Sequence, residues 1–231
     1  MEYLCIIITA IVIAIMLAVI FKLNPKQNKK IAENEELNSI SDKFPKNIEI
    51  CKDILKIIGN EDVIIEENKD AKDCLYIAVT NKIIISGTQN NFTRIQTIAH
   101  ECLHSIQDRT IQLSNFIISN ICIFYYVVIL ILGIFKIIPE NYKISAIMIY
   151  SIISFLCFVI RAYLENDAMI KAKVLAKEYI EKKDVCDNEE IDKLVNGFEQ
   201  INSMGIKGVN YSLFLSSIIR IIILSVIFMI R

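Results

Sequence analysis

Four stretches of the chain are nearly free of charged residues, and they determine the predicted architecture. Each has about 17 to 20 residues, close to the roughly 20 that a helix needs to cross a bilayer. Buried helices of a globular protein are the alternative, but four of this length in 231 residues would leave little polar surface to cover them. The pattern predicts a mainly α membrane protein with four transmembrane helices, over residues 3–21, 116–135, 144–160 and 211–230.

The first apolar stretch could also be a secretory signal, which would be removed from the mature protein. Signals begin with basic residues and end at a small-residue cleavage site. Here Glu2 stands where a basic residue is expected, and no Ala-x-Ala pattern follows the apolar run. We therefore expect a retained membrane anchor.

The residues between the first two apolar stretches have the patterns of a small α+β domain. Apolar residues recur at helical spacing over 47–58, and Gly59 can terminate that helix. Short runs rich in Ile and Val then predict strands over 62–66, 74–79 and 82–86, with a turn at Thr80-Asn81.

Soluble segments are expected to alternate with the transmembrane helices. A charged helix should follow the third apolar stretch as far as Lys183, and Gly205 and Gly208 predict a loop before the fourth. The predicted divisions are an anchor at 1–22, a soluble α+β segment at 23–115, a transmembrane hairpin at 116–164, a soluble helical segment at 165–208 and a last transmembrane helix at 209–231.

The only two histidines of the chain lie in one motif, His100-Glu101-Cys102-Leu103-His104. Residues four apart lie on one face of a helix, so the two imidazoles can bind one metal ion, with Glu101 placed to activate a water molecule. A polar helix with neighbouring histidines is the simpler alternative. A buried stripe on the other face is predicted from Ile95, Ile98, Ala99, Cys102 and Ile106.

The third metal ligand has to come from another part of the chain. Catalytic zinc usually has three protein ligands and one open position. No third histidine exists, which leaves a carboxylate or a cysteine. Glu165 is the first carboxylate after the third apolar stretch, on the same predicted side of the membrane as the motif, and it is favoured over Asp167, Glu178 and Glu181.

Net charge and cysteine usage argue against a nucleic-acid-binding protein and against a disulfide-rich protein. The formal net charge of −1 provides no strong field for nucleic acid, so no nucleic-acid partner is expected. The seven cysteines form no CxxC pair and predict no disulfide framework. Cys102 should point away from the ligand face and is interpreted as a packing residue.

The motif and the residues after the hairpin resemble those of a known family. His-Glu-x-x-His-x-x-Gln at 100–107 is followed by Glu-x-Asp-Ala at 165–168 and by Ala172. This order is similar to that of the bacterial membrane zinc metallopeptidases of the YugP type, a gluzincin-like group, over nearly the whole chain. The resemblance implies a zincin-like fold with zinc (Zn2+) held by His100, His104 and Glu165, and with Glu101 as the catalytic acid/base.

The expected function is zinc-dependent hydrolysis of peptide bonds in protein or peptide substrates at the membrane. Glu101 would take a proton from the attacking water and pass it to the leaving amine. A non-enzymatic membrane scaffold or a metal-dependent sensor with the same fold is the alternative. An intramembrane protease would need the motif inside an apolar stretch, whereas polar residues surround this one at Arg94, Gln96, Gln107, Asp108 and Arg109.

Two parts of the expected site stay open. A group other than histidine must stabilise the oxyanion, and Tyr163, Tyr179 or an arginine could do so. An extended substrate is expected to pair with a sheet edge around Lys82 to Ser86.

Basic residues predict that the soluble segments face the cytoplasm of a multi-pass cell-membrane protein, in contact with the lipid bilayer. Segments 22–115 and 161–210 carry 13 and 8 lysines and arginines, whereas the opposite side has Lys136, Lys143 and Arg231. The basic residues that border the apolar stretches have the largest effect on orientation in the membrane. On the predicted inner side these are Lys22, Lys26, Lys29, Lys30, Arg109 and Arg161.

One charged residue interrupts the fourth apolar stretch. Arg220 stands near its middle, where a charge costs at least about 2.5–3.5 kcal/mol on insertion scales. The favoured explanation is that the side chain reaches the membrane surface from a tilted or short helix. The alternative is that it faces the helix bundle and contacts backbone carbonyls or lipid phosphate.

Overall fold

Helices dominate the structure, a computed structural model that describes residues 1–22, 31, 33–68, 70–71, 73–87 and 91–230. Within these residues it has seven helices and one three-stranded sheet. In chain order they are α1 Glu2–Phe21, α2 Glu35–Ser41, α3 Asn47–Ile57, β1 Ile64–Asn68, β2 Leu75–Ile77, β3 Lys82–Ser86, α4 Arg94–His104, α5 Arg109–Ile134, α6 Glu140–Lys183 and α7 Asn188–Met229.

All four predicted apolar stretches lie in helices. By length and composition, α1, α5, α6 and α7 are each suited to cross a membrane. The predicted charged helix after the third stretch is confirmed, because α6 runs unbroken to Lys183. Three of the lysines that we expect to border the first stretch, at positions 26, 29 and 30, lie outside the described residues.

The predicted loop at Gly205 and Gly208 is wrong, because both glycines lie inside α7. A glycine costs a helix only about 1 kcal/mol relative to alanine, which surrounding interactions can outweigh. A Cβ atom at Gly205 would stand 2.6 Å from Cε of Met169 on α6, so this glycine permits a close approach of α7 to the Met169 side chain.

The chain divides into two compact units. The apolar unit consists of Met1–Leu23, Leu113–Tyr163 and Lys207–Arg231, and the polar unit of Asn24–Gln112 and Leu164–Ile206. In the apolar unit, buried residues from α1, α5, α6 and α7 form one cluster that includes Tyr3, Cys122, Tyr150, Leu224 and Phe228.

The sheet of the polar unit confirms three predicted strands but corrects the predicted substrate edge. The strand order is β1-β3-β2, with β1 parallel and β2 antiparallel to β3. Lys82–Ser86 is therefore the central strand, and its backbone pairs on both sides. Ile83 and Ile85 are fully buried, as a central strand requires, whereas β1 and β2 form the edges.

The motif helix α4 is anchored by its apolar face. Ile95, Ile98, Ala99 and Cys102 are all completely buried, as predicted, and Cys102 Sγ lies 3.8 Å from Cys51 Sγ of α3. Ile106 is half exposed, contrary to prediction, because α4 ends at His104 and residue 106 is no longer in helical phase. Buried residues of α3, β3, α6 and α7 complete the core, among them Ile50, Ile54, Ala168, Ala172, Ala176, Leu194 and Phe198.

One buried arginine ties the start of α4 to the loop between α2 and α3. The Arg94 guanidinium donates to the backbone carbonyls of Ser41 and Phe44, at 2.6 and 3.0 Å. It also donates to Pro45 O at 2.8 Å and to Asn47 Oδ1 at 3.0 Å. The planar fork of arginine serves these acceptors together, which an ammonium group cannot match.

We expect Arg94→Met to lower the free energy of unfolding of the polar unit by at least about 3 kcal/mol, since several buried carbonyls would lose their donor. Arg94→Lys should be nearly as destabilising, because one ammonium group cannot reach acceptors spread over the loop. Lys52→Met, an exposed change on α3, is the matched control. Urea titration followed by circular dichroism measures the difference. Equal stability of Arg94→Met and the control would contradict the role assigned to Arg94.

Candidate metal centre

Three potential metal ligands converge in the polar unit. His100 and His104 stand one turn apart on α4, and their Nε2 atoms are 3.1 Å from each other. Glu165 approaches from α6, with Oε2 at 3.4 Å from His100 Nε2 and 3.7 Å from His104 Nε2. All three side chains are partly buried, with 14–23% of their surface exposed. Residues up to 65 positions apart in sequence (100 and 165) thus offer one nitrogen or oxygen atom each to a common point.

The spacing of these atoms fits a small metal ion. Ligand atoms about 2.0–2.2 Å from a tetrahedral zinc stand roughly 3.3–3.6 Å apart. The three distances in this group run from 3.1 to 3.7 Å. The group can therefore hold a metal ion with little movement of its side chains.

Gln107 fixes the orientation of His104. Its amide Nε2 donates to Leu164 O at 2.8 Å and to Asp167 Oδ2 at 3.1 Å, both on α6. Its Oε1 must then accept, and it lies 2.8 Å from His104 Nδ1. The network assigns the proton of a neutral His104 to Nδ1 and leaves the Nε2 lone pair directed to the ligand group, as a metal-binding imidazole requires.

The two histidines of the ligand group favour the ionised form of Glu165, which is the form that binds a cation. Burial alone would raise the pKa of Glu165 and lower that of His104. Hydrogen bonds from His100 and His104, in that order, together with the charges of both imidazoles, outweigh burial, so the pKa of Glu165 lies well below its usual range. The pKa of His104 is correspondingly raised, with Gln107 contributing. A metal ion would therefore find an ionised carboxylate at neutral pH and would compete with protons for the His104 nitrogen.

Glu101 lies beside the ligand group with a different partner. Its carboxylate is almost completely buried, and Oε2 accepts a hydrogen bond from the Tyr76 backbone N–H at 2.6 Å. Oε1 stands 3.9 Å from His100 Nε2. Burial raises the pKa of Glu101 above its ordinary value, although the positive imidazoles and the Tyr76 N–H oppose the shift. Such a carboxylate can accept a proton more readily than an exposed one.

The other carboxylates considered from the sequence have other partners. Asp167 accepts from Gln107 and pairs with Lys171 at 2.6 Å. Glu178 and Glu181 lie further along α6, where they pair with Lys182 and Lys177. Four acidic residues after the third apolar stretch are candidates for the third ligand. Of these, the structure places Glu165 beside His100 and His104.

Tyr163 and Tyr179 are the two tyrosines predicted as oxyanion stabilisers. Within the described residues, no hydrogen bond or ring contact joins either of them to His100, His104 or Glu165. Tyr179 is buried in the core against Phe44, with ring centroids 6.0 Å apart. Burial, with the nearby charge of Asp53, raises the pKa of its hydroxyl well above the usual value. Tyr163 is exposed and belongs to the apolar unit.

Sequence reasoning missed the supporting residues around the group. Tyr76 acts through a backbone N–H that no side-chain pattern reveals. Gln112 donates to the carbonyl of His104, and Asn60 donates to Ser105 O at 3.1 Å, so both hold the turn that ends α4. The one available signal was Gln107, three residues after His104 in the motif.

Loss of a ligand should weaken metal retention sharply. Structural zinc in small peptides binds with about 10–16 kcal/mol from four ligands, so one ligand is worth roughly a hundredfold or more in affinity. We expect this loss for His100→Ala, His104→Ala and Glu165→Ala, measured by competition with a chromogenic chelator. Gln107→Leu should cost about 10–100-fold, since it removes the partner that orients His104.

Glu178→Ala is the matched control for Glu165→Ala, because both remove a carboxylate from α6. It should retain metal as the wild type does. If Glu165→Ala retained metal equally well, the third ligand would have to be another carboxylate, with Asp167 the first to test.

Comparison with known proteins yields no match to this chain. No protein-family model, no curated protein and no solved structure matches it significantly. The resemblance to the YugP-type peptidases stays a prediction carried by residues 100–107 and 165–172. The structure adds to it the convergence of His100, His104 and Glu165 in a group that can hold a metal ion.

Proposed function

We propose that the chain is a membrane zinc metalloprotease of the YugP type. The observation that carries this proposal is the meeting of His100, His104 and Glu165 with a buried, independently held Glu101 beside them. Two imidazoles and one carboxylate are the ligand set of a well-known class of catalytic zinc site, and three protein ligands leave a position open. A purely structural site would more often be closed by four protein ligands.

Zinc suits this donor set, since imidazole and carboxylate together at tetrahedral spacing favour it over the larger oxygen-seeking cations. When bound, the ion would supply Lewis-acid chemistry, polarising a peptide carbonyl and making water more acidic. The imidazoles of His100 and His104 and the carboxylate of Glu165 would hold it. The Gln107 amide would keep His104 in the tautomer that binds metal through Nε2.

Glu101 moves the proton in this proposal. Its Oε2 is held by the Tyr76 N–H, so Oε1 is the atom that would take a proton from the attacking water. The same carboxyl group would then deliver that proton to the leaving amine. A pKa raised by burial suits both steps, because the group must accept a proton and later release it near neutral pH.

An extended peptide would bind along β2. This strand is an edge of the sheet, and the residue at its centre, Tyr76, contacts Glu101 through its backbone. Pairing with backbone groups of β2 other than the Tyr76 N–H, which Glu101 holds, would align a substrate backbone beside the proposed base. The central strand β3 cannot pair in this way, because both of its sides are occupied. Four helices long and apolar enough to cross a membrane would place such protein or peptide substrates at the membrane.

The active site is proposed to face the cytoplasm. Soluble segments with 13 and 8 basic residues would lie inside, where the positive-inside rule places them. Cys51, Cys74 and Cys186 are free thiols in the polar unit, which suits a reducing compartment. Burial raises the pKa of Cys74 to about 11, so this thiol is also poorly reactive.

Glu101→Gln should retain zinc and the fold but lower the rate of proteolysis by about 10²–10⁴-fold, the usual contribution of a general base. Zinc content and cleavage of an unstructured protein such as casein are measured on the same preparation. Glu178→Gln, which changes an exposed glutamate on α6, is the control and should cleave normally. Cleavage by Glu101→Gln at a near wild-type rate would contradict the hydrolase assignment. A wild type that binds zinc without cleaving would favour the metal-dependent sensor.

Orientation can be tested with single cysteines at Asn141 and Asn188, both exposed, in a variant without native cysteines. In intact cells an impermeant thiol reagent should label position 141 and should reach position 188 only after permeabilisation. Labelling of 188 but not of 141 would place the active site outside.

A further inference from the structure

One residue of the turn between β2 and β3 has side-chain contacts that the turn itself does not require. Asn81 has a left-handed backbone, with φ at 49°. Asparagine adopts this conformation more readily than most residues that carry a side chain. Glycine would serve the turn equally well, because it has no Cβ atom to strain. The contacts of its side chain are therefore what distinguishes Asn81 at this position.

The Asn81 side chain holds the hydroxyl of Tyr76. Asn81 Oδ1 accepts a hydrogen bond from Tyr76 Oη at 3.1 Å, and Asn81 Nδ2 donates to Asp62 O at 3.4 Å. The Asn81 carbonyl accepts from the N–H of Ile64, the first residue of β1, at 3.0 Å. Burial raises the pKa of the Tyr76 hydroxyl, so this group is protonated and donates at neutral pH. One turn residue thus connects Tyr76 of β2 to the start of β1.

Tyr76 is also the residue that contacts Glu101. Its backbone N–H donates to Glu101 Oε2 at 2.6 Å and is therefore not used to pair with β3. Within the described residues, β3 is the one strand that pairs with β2, and β2 itself has three residues. Few ladder hydrogen bonds are left to hold Tyr76, so its side-chain anchor at Asn81 has a large effect on where its N–H points.

We propose that Asn81 is a positioning residue for Glu101 and acts through Tyr76. This inference rests on the proposed peptidase function, since it takes Glu101 as the base. The Asn81 carboxamide holds the Tyr76 phenol, and the Tyr76 N–H holds Glu101 Oε2, which leaves Oε1 directed to the attacking water. Catalytic groups have to be held to within about 0.5 Å of their productive position, and contacts behind them provide this precision.

Asn81→Gly retains the left-handed turn but removes the acceptor of the Tyr76 hydroxyl. We expect it to lower kcat for casein cleavage by about tenfold with KM nearly unchanged, because a displaced base affects the reaction step and not substrate binding. Tyr76→Phe, which removes the hydroxyl alone, should lower kcat to a similar extent. Asn81→Asp keeps a side-chain oxygen as acceptor and should restore most of the rate. Asp184→Gly, the same kind of change at a left-handed residue after α6, is the control and should leave kcat unchanged.

A double variant separates positioning of the base from a general loss of structure. Glu101→Gln has a residual rate that needs no base, so adding Asn81→Gly should lower it no further. A second tenfold loss in the double variant would show that Asn81 acts on the fold as a whole and would overturn the proposal. If Asn81→Gly does not fold, as judged by zinc content, Tyr76→Phe takes its place in both comparisons.

Amide exchange gives a readout that needs no activity. Deuterium exchange at the Tyr76 amide should be several-fold faster in Asn81→Gly than in the wild type and unchanged in Asp184→Gly. A wild type that cleaves casein, together with an Asn81→Gly variant of equal kcat or equal exchange, would overturn this inference and leave the proposed function intact. A wild type that binds zinc without cleaving would overturn both.

Discussion

The metal centre depends on one amide side chain that joins two helices. Gln107 contacts His104 through its oxygen and the α6 residues Leu164 and Asp167 through its nitrogen. One amide therefore sets the tautomer of an imidazole and holds the end of α4 to the turn of α6 that carries Glu165. A ligand group assembled from distant parts of the chain needs such a link, because rigid helices alone do not fix side-chain directions to within a few tenths of an ångström.

The parts of the structure that follow from periodicity were predictable from the sequence. Apolar stretches and the i, i+4 histidines each reflect a single helix, and a helix is defined by its own residues. The predictions that proved wrong depend on tertiary contacts. Gly205 lies within a helix, where the absence of a Cβ atom leaves space for the Met169 side chain. Lys82–Ser86 is the central strand because β1 and β2 pair with it on either side. The end of α4 depends on Asn60 and Gln112, whose hydrogen bonds to the turn cross from other segments.

Helix geometry explains the spacing of Glu165, Asp167 and Ala168. Within one turn of α6 the first points to the ligand group, the second accepts from Gln107 and the third is completely buried in the core. Each residue inserted or deleted there would rotate the following part of α6 by about 100° relative to the preceding part. The three side chains could then no longer point to the ligand group, to Gln107 and to the core at the same time. The loop at residues 135–139, between α5 and α6, is under no such restriction. Length variation is therefore compatible with the hairpin turn but not with the interval from 165 to 168.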